Sequence, residues 1–419
     1  MIRKRKSELS FKVLKSHDFR LMLFARVFSL AALQAQAVII GWQIYELTHD
    51  PLLLGLAGLA EAIPAITCAL FAGYVVDHAR PQRVYMYCLL ALTLNTLLLF
   101  LIGGQIIELD VLPFLLLSYG AIFTSGLARS FIMPSSFSLL AQIIPMRDIS
   151  SASAWLSSGF QVAVIVAPAV AGFVYGGYGP SVAWTMPMFL MLAAFFMVLG
   201  IKPLPRTGKK RESAMKSIRE GWQFIIKTPV LLGSMSLDML AVLFGGAIAL
   251  LPAFAADILH VGSEGLGALR AAPAVGAVIM ALIMAIKPMK VISIKRLLWV
   301  VVGFGISMIG FGFSTSLWLS MAFLALSGMF DSVSMVIRQT LMQKMTPDHM
   351  RGRVSSVNSM FVISSNEIGA FESGVLAKFF GLVPSVVIGG VGTLIVAVGA
   401  AWASPAMRNT VIELEDEED

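Results

Sequence analysis

The sequence is divided into long apolar runs that are separated by short polar segments. Each run is long enough to cross a bilayer as a helix, which takes about 20 apolar residues. Only 13% of the 419 residues are charged, too few to cover the surface of a soluble protein of this size. The sequence therefore predicts an all-α membrane protein with twelve transmembrane helices. The runs cover residues 21–45, 53–76, 84–104, 112–143, 149–177, 181–201, 229–255, 262–287, 294–314, 317–344, 353–380 and 383–404.

The basic residues indicate how these helices are oriented. If the N-terminus is cytoplasmic, 26 of the 31 Lys and Arg residues fall in cytoplasmic segments. The opposite loops, such as 46–52 and 104–111, contain none. Because short cytoplasmic loops are enriched in Lys and Arg, we expect both termini in the cytoplasm. The same bias explains the net charge of +7 without a nucleic-acid partner.

The chain is predicted to consist of two six-helix halves. A shift of 202 residues places glycines or prolines of one half on those of the other, at 126 and 328, 145 and 347, 172 and 374, and 179 and 381. Two repeated halves joined by a basic linker are typical of secondary transporters. The predicted domains are a basic cytoplasmic tail (1–20), the N-terminal half (21–201), a polar linker (202–228), the C-terminal half (229–404) and an acidic tail (405–419). We expect the tail to be disordered from Glu413 onward.

Several classes of membrane protein are excluded by missing residue patterns. All five histidines lie at the ends of apolar runs or between them, whereas haem and copper enzymes need histidines within the spans. The sequence has no Walker A motif, and Cys68 and Cys88 form no CxxC pair. We therefore predict neither an enzyme nor a resident metal or cofactor.

Ionisable residues inside the predicted spans are the candidate functional residues. A charge at the middle of a bilayer costs about 2.5–3.5 kcal/mol, so such residues face a cavity and pair. A proton-driven carrier also needs a carboxylate that binds and releases a proton. We assign substrate binding and proton coupling to Arg26, Glu61, Arg129, Asp238, Asp331, Arg338, Glu367 and Glu372. Arg270 and Lys378 are interpreted as edge or packing residues. The repeat places Arg129 and Asp331 at equivalent positions of the two halves, where they either pair with each other or leave Arg129 to pair with Glu367 or Glu372.

Two motifs resemble those of the major facilitator superfamily. Residues 73–83 (GYVVDHARPQR) resemble its loop pattern G-x-x-x-D-[RK]-x-G-[RK]-[RK], at the expected place after the second helix. Residues 163–172 (AVIVAPAVAG) resemble its antiporter pattern G-x-x-x-G-P-x-x-G-G, with alanines at three glycine positions. The resemblance implies a conformational gate that includes Gly73, Asp77, Arg80, Arg83, Pro168 and Gly172. The second motif implies export.

Further stretches resemble the enterobactin-exporter branch of this superfamily. They are residues 26–29, 42–48, 54–64, 128–134, 347–356 and 367–374. The resemblance implies a multi-pass protein of the bacterial inner membrane, a monomer that exchanges protons for a siderophore or drug-like molecule. An uptake symporter or a lipid flippase of the same fold remains an alternative, because fold alone does not fix function. A receptor or scaffold without transport is the alternative from another class.

Overall fold

A computed structural model describes residues 12–145, 148–202, 214–287, 289, 291–347, 350–403 and 411–413. Almost all of this part of the chain is helical, as the sequence predicts. The α-helices of eight residues or more are α1 (His17–Thr48), α2 (Pro51–His78), α3 (Pro81–Gly103), α4 (Val111–Ile143), α5 (Ile149–Ala183), α6 (Thr185–Leu199), α7 (Ala214–Lys227), α8 (Pro229–Phe244), α9 (Ser263–Ile286), α10 (Ile294–Phe313), α11 (Leu317–Met345), α12 (Arg351–Phe380) and α13 (Leu382–Ala403).

Ten helical segments of the described chain are long and apolar enough to cross a membrane. Two of the twelve predicted runs are not among these ten segments. The run at 181–201 corresponds to α6, which has 15 residues, and to the residues of the preceding range that follow the break at Gly179. The run at 353–380 corresponds to α12, which carries several serines, two asparagines and two glutamates. Helices with many polar residues need protein partners within a bilayer, so α12 needs such partners.

The chain divides into two compact units, each with its own core. The first comprises Met1–Leu47 and Ile63–Ala214, and its core is built around buried Phe19, Met22 and Tyr85. The second comprises Thr48–Ala62 and Met215–Asp419. The beginning of α2 therefore packs with the second unit, although it is far from that unit in the sequence.

The backbone at two glycines shows the internal repeat most directly. Gly179 and Gly381 both have positive φ, at 81° and 92°, and they lie 202 residues apart. L-residues rarely adopt this conformation, so glycine is favoured at both positions. The boundary predicted between residues 177 and 181 is confirmed, because Gly179 is non-helical and breaks the range Ile149–Ala183 at this point.

The linker is not simply polar, as its composition suggested, because it contains α7. Ile225 of α7 is buried with Met235, Val354 and Val357. Glu220 forms an ion pair with Arg353 at the start of α12. Apolar residues three and four positions apart form one face of an amphipathic helix. The sequence analysis did not recognise this helix because basic residues surround its apolar positions.

The acidic tail also departs from the prediction at its first residues. Val411–Glu413 form a strand, β2, that pairs antiparallel with β1, Val291–Ser293. Glu413 is thus ordered by backbone pairing and not part of a disordered run. Residues 414–419 lie outside the described part of the chain, so their predicted disorder stays a prediction.

Glycines allow α9 and α11 to approach each other very closely. A Cβ atom on Gly328 would lie 1.9 Å from the carbonyl oxygen of Pro273. A Cβ atom on Gly276 would lie 1.8 Å from the carbonyl oxygen of Ala325. Small residues at helix contacts are a common way to bind membrane helices together.

We predict that Gly328→Ala lowers the stability of the protein by about 1–3 kcal/mol, because the added methyl group must push two backbones apart. Thermal unfolding in detergent measures this loss. Gly120→Ala is the matched control, since a Cβ atom there meets nothing within 4 Å. Equal unfolding temperatures for the two variants would contradict the close contact.

Candidate functional site

The first helix of the C-terminal half is broken near its middle. The run predicted at 229–255 forms α8 only as far as Phe244. It continues as a 3-10 turn at Ala247–Leu250, a single α-turn at Leu251–Ala253 and a π-turn at Phe254–Ile258. The predicted span is confirmed, since residues 229–258 are long and apolar enough to cross a membrane, but it is not one continuous α-helix. Broken helices are frequent at the binding sites of secondary transporters.

A buried ion pair joins α8 to α11. Arg338 Nη1 lies 2.8 Å from Asp238 Oδ2, and the two side chains are only 10% and 7% exposed. Ser334, one turn before Arg338, accepts a hydrogen bond of 3.4 Å from its Nε atom. The sequence predicted both charged residues as functional but did not predict that they pair.

Asp331 lies beside this pair on α11. It is close enough to interact electrostatically with both Arg338 and Asp238. Asp238, Asp331 and Ser334 line the same small cavity, together with apolar side chains of α8, α10 and α11. The cavity has a volume of about 10 Å³, which is the space of about one water molecule.

We call Asp238, Asp331, Ser334 and Arg338 the aspartate cluster. Within the described residues it brings together two carboxylates and one guanidinium. If both carboxylates are ionised, the cluster carries one negative charge that its own arginine does not neutralise. A proton is the smallest species that can neutralise it, and the cavity is too small for a larger cation with its water shell.

The glutamates of α12 form a second group of candidate residues. Glu367 Oε2 lies 3.6 Å from the position of a Cβ atom on Gly58, so this carboxylate packs against α2. Glu372 accepts a hydrogen bond of 3.5 Å from Ser373. Glu61 is partly buried on the same segment of α2 as Gly58. These glutamates therefore belong to α2 and α12, whereas the aspartate cluster belongs to α8 and α11.

Lys378 has a structural partner, in agreement with its interpretation as an edge residue. Its Nζ atom lies 2.5 Å from Asp50 Oδ2, and the two side chains are 47% and 25% exposed. A pair this exposed contributes little to stability, about 0–1 kcal/mol.

The two arginines of the first unit that were assigned to substrate binding or proton coupling differ in their surroundings. Arg26 donates a 2.7 Å hydrogen bond from Nη1 to Ser136 Oγ, and its guanidinium lies 5.8 Å from the ring centre of Phe137. It therefore holds α1 to α4. Arg129 is an exposed residue of α4.

The gate residues of the first motif surround the junction of α2 and α3. Arg80 precedes α3 in an extended conformation, and Arg83 is exposed. Gln82 donates a 2.7 Å hydrogen bond to the carbonyl oxygen of Ile201, which ties the start of α3 to the end of α6. Gly73 and Asp77 belong to α2, but their side-chain surroundings lie outside the described residues.

The second motif forms a buried face of α5. Pro168 and Gly172 are buried, and so are the alanines at 163, 167 and 171. Val162, Val166 and Val170 are exposed on the other side of the helix. The small residues thus face protein, as close helix packing requires.

The family of the chain follows from its sequence. Residues 22–362 match the model of the Major Facilitator Superfamily. The chain belongs to this family. The family resemblance predicted from its motifs is thereby confirmed, as is a multi-pass location in the bacterial inner membrane. Of the predicted fold class, a nearly all-helical membrane protein is confirmed.

The similar proteins include exporters. The chain is 26% identical to the enterobactin exporter EntS of Escherichia coli and to that of Citrobacter koseri, over 93% of this chain and 92% of each relative. Among solved structures it is similar to the nucleoside transporter NupG, with a TM-score of 0.67, 11% identity and coverage of 92% and 99% of the two chains. It is also similar to a bacterial homologue of the iron transporter ferroportin, with a TM-score of 0.68, 14% identity and coverage of 92% of this chain and 98% of the other. At these identities the solved structures show the fold alone.

We predict strong coupling between Asp238 and Arg338 in a double-mutant cycle. Asp238→Ala or Arg338→Ala alone leaves a buried charge without its partner and should cost about 3–5 kcal/mol, whereas the double variant should recover much of this loss. Thermal unfolding in detergent measures the three variants. Asp50→Ala, at the exposed pair with Lys378, is the control and should cost less than about 1 kcal/mol. Additive losses at 238 and 338 would show that the two residues do not stabilise each other.

Proposed function

We propose that the protein is a proton-coupled exporter of a siderophore or drug-like organic molecule. It spans the inner membrane as a monomer with twelve helices and both termini in the cytoplasm, and it works by alternating access as residues 21–201 rock against residues 229–404. It acts as a transporter without enzymatic chemistry. Gly73, Asp77, Arg80, Arg83, Pro168 and Gly172 are assigned to the conformational gate.

The observation that carries this proposal is the charge balance of the aspartate cluster. A carboxylate without its own counter-ion inside a membrane helix is costly unless it is neutralised. Protonation of Asp331 neutralises the cluster, and loss of the proton restores the negative charge. A proton gradient across the membrane can therefore change the charge of α11 in each transport cycle.

Two observations support export over uptake. The chain is similar to enterobactin exporters over 93% of its length. The buried small-residue face of α5 carries the pattern that resembles the antiporter motif. Fold similarity alone does not choose a direction, because one fold serves many functions.

Proton binding and substrate binding are proposed to alternate. The charged residues assigned to substrate are Arg26, Glu61, Arg129, Asp238, Asp331, Arg338, Glu367 and Glu372. When Asp331 is ionised, it competes with substrate groups for the positive field of Arg338. Protonation removes this competition, which links the occupancy of one ligand to that of the other.

We predict that everted vesicles containing this protein accumulate enterobactin when their interior is acidic, and that a protonophore abolishes the accumulation. Asp331→Asn should no longer accumulate it but should still exchange labelled for unlabelled enterobactin, because asparagine imitates the protonated carboxyl group. Filtration of the vesicles measures transport by the wild type, by Asp331→Asn and by the control variant. Asp110→Asn, an exposed residue before α4, is the matched control and should transport normally.

Two results would contradict the proposal at different points. Accumulation by the wild type that ignores the proton gradient would exclude proton coupling. Gradient-driven accumulation by Asp331→Asn would leave coupling intact but assign it to another carboxylate.

A further inference from the structure

Arg270 lies on the protein-facing side of α9. The large apolar residues that α9 exposes are Val275, Ile279, Leu282, Ile283 and Ile286. At about 100° per residue, these positions lie roughly 120–180° around the helix from Arg270. The side chain therefore points away from the surface that suits lipid, and its neighbours one turn away, Leu266 and Ala274, are buried.

No residue of the described chain forms a hydrogen bond or an ion pair with Arg270. Its Nε atom is buried without a hydrogen-bond partner, while the residue as a whole is only partly buried. Other basic residues of the same unit are paired: Arg338 with Asp238, Lys378 with Asp50, and Arg353 with Glu220. The interpretation of Arg270 as a packing residue from sequence does not account for this difference.

An unpaired guanidinium at this place weakens the fold. A buried charge without a partner is strongly destabilising, and an arginine inside a membrane span is costly by itself. A leucine or glutamine would fill the same space without that cost. The charge is therefore useful to something other than the folded chain.

We infer that Arg270 binds an acidic group of the transported molecule, a carboxylate or an ionised phenol. The inference rests on the proposed function and adds the substrate class, an organic anion. A guanidinium suits this role because its planar donors match two oxygen atoms at once and because it stays charged at every physiological pH. The anion supplies the counter-charge that the protein lacks.

The helix that carries Arg270 is firmly placed. Pro273, three residues further along α9, is the residue whose carbonyl oxygen contacts Gly328 of α11. This close contact fixes the turn of α9 next to Arg270. A binding residue on a rigid element is held in a defined geometry, which favours selective recognition.

The first test is the stability of the free protein. Arg270→Gln removes a charge without breaking a pair, so it should unfold at the same or a higher temperature than the wild type. Arg338→Gln, the comparison variant, should unfold at a clearly lower temperature because it leaves Asp238 unpaired. A comparable loss of stability in Arg270→Gln would mean that Arg270 has a partner in the fold and would overturn the inference.

The second test is equilibrium binding of two matched probes, salicylate and its uncharged amide, salicylamide, to the purified full-length protein. The wild type should bind salicylate more tightly than the amide. Arg270→Gln should weaken salicylate binding about tenfold or more and leave the amide unchanged. Arg270→Lys should keep part of the preference, since it keeps the charge but not the fork of donors. Lys287→Gln, at the other end of α9, is the control for loss of a positive charge.

Equal binding of the two probes by the wild type, or equal weakening of both in Arg270→Gln, would overturn the inference. These measurements need no gradient, so they are independent of the vesicle assay. If the wild type binds salicylate through Arg270 but accumulates no enterobactin in everted vesicles, the proposed direction and coupling fail while the anion site stands. If it accumulates enterobactin but shows no preference for the anion, only the anion site fails.

Discussion

A charge inside the hydrocarbon layer of a membrane has to be neutralised from within the protein, and the C-terminal unit is organised around this requirement. Asp238 and Arg338 meet at 2.8 Å between α8 and α11, where both side chains are almost fully buried. Their attraction offsets two desolvation costs only if the helices hold them in register. The ion pair thus fixes the relative position of α8 and α11, and Asp331 and the small cavity are placed by that position.

Close backbone contacts supply the rigidity that the charges need. Two apolar helices in lipid gain little from the hydrophobic effect, so contact depends on packing at short range. Gly276 and Gly328 provide it between α9 and α11, while Gly55 and Gly374 provide it between α2 and α12. The polar helix α12 is covered in this way by its neighbours, which explains how a helix with two glutamates belongs to a membrane domain.

The sequence predicted the helical class and the family well, because hydrophobic length and short motifs are local properties. It did not predict which charges pair. Arg338 lies near Asp331, two turns further along the same helix, a contact that depends on side-chain direction. The pairing of Arg129 with Asp331 stays a prediction. The break after Phe244 was missed because the residues beyond it are as apolar as those before it. The helix α7 was missed because its apolar face is short, and β2 because strand pairing with residues 291–293 is a long-range contact.

The end of α8 has a consequence for the solvation of the backbone. The last carbonyl groups of a helix lack donors from the following turn. The carbonyl oxygen of Ala241 accepts the Gly245 N–H at 2.9 Å and the Thr393 hydroxyl at 3.2 Å. The carbonyl oxygens of Leu243 and Phe244 face the Cα atoms of Gly369 and Gly389, where a Cβ would come within 2.6 and 2.1 Å. Glycine Cα–H groups are weak donors to such oxygens. Groups on neighbouring helices therefore contact the last carbonyl oxygens of α8 in place of water. A helix can end in this way inside a membrane protein without water at its end.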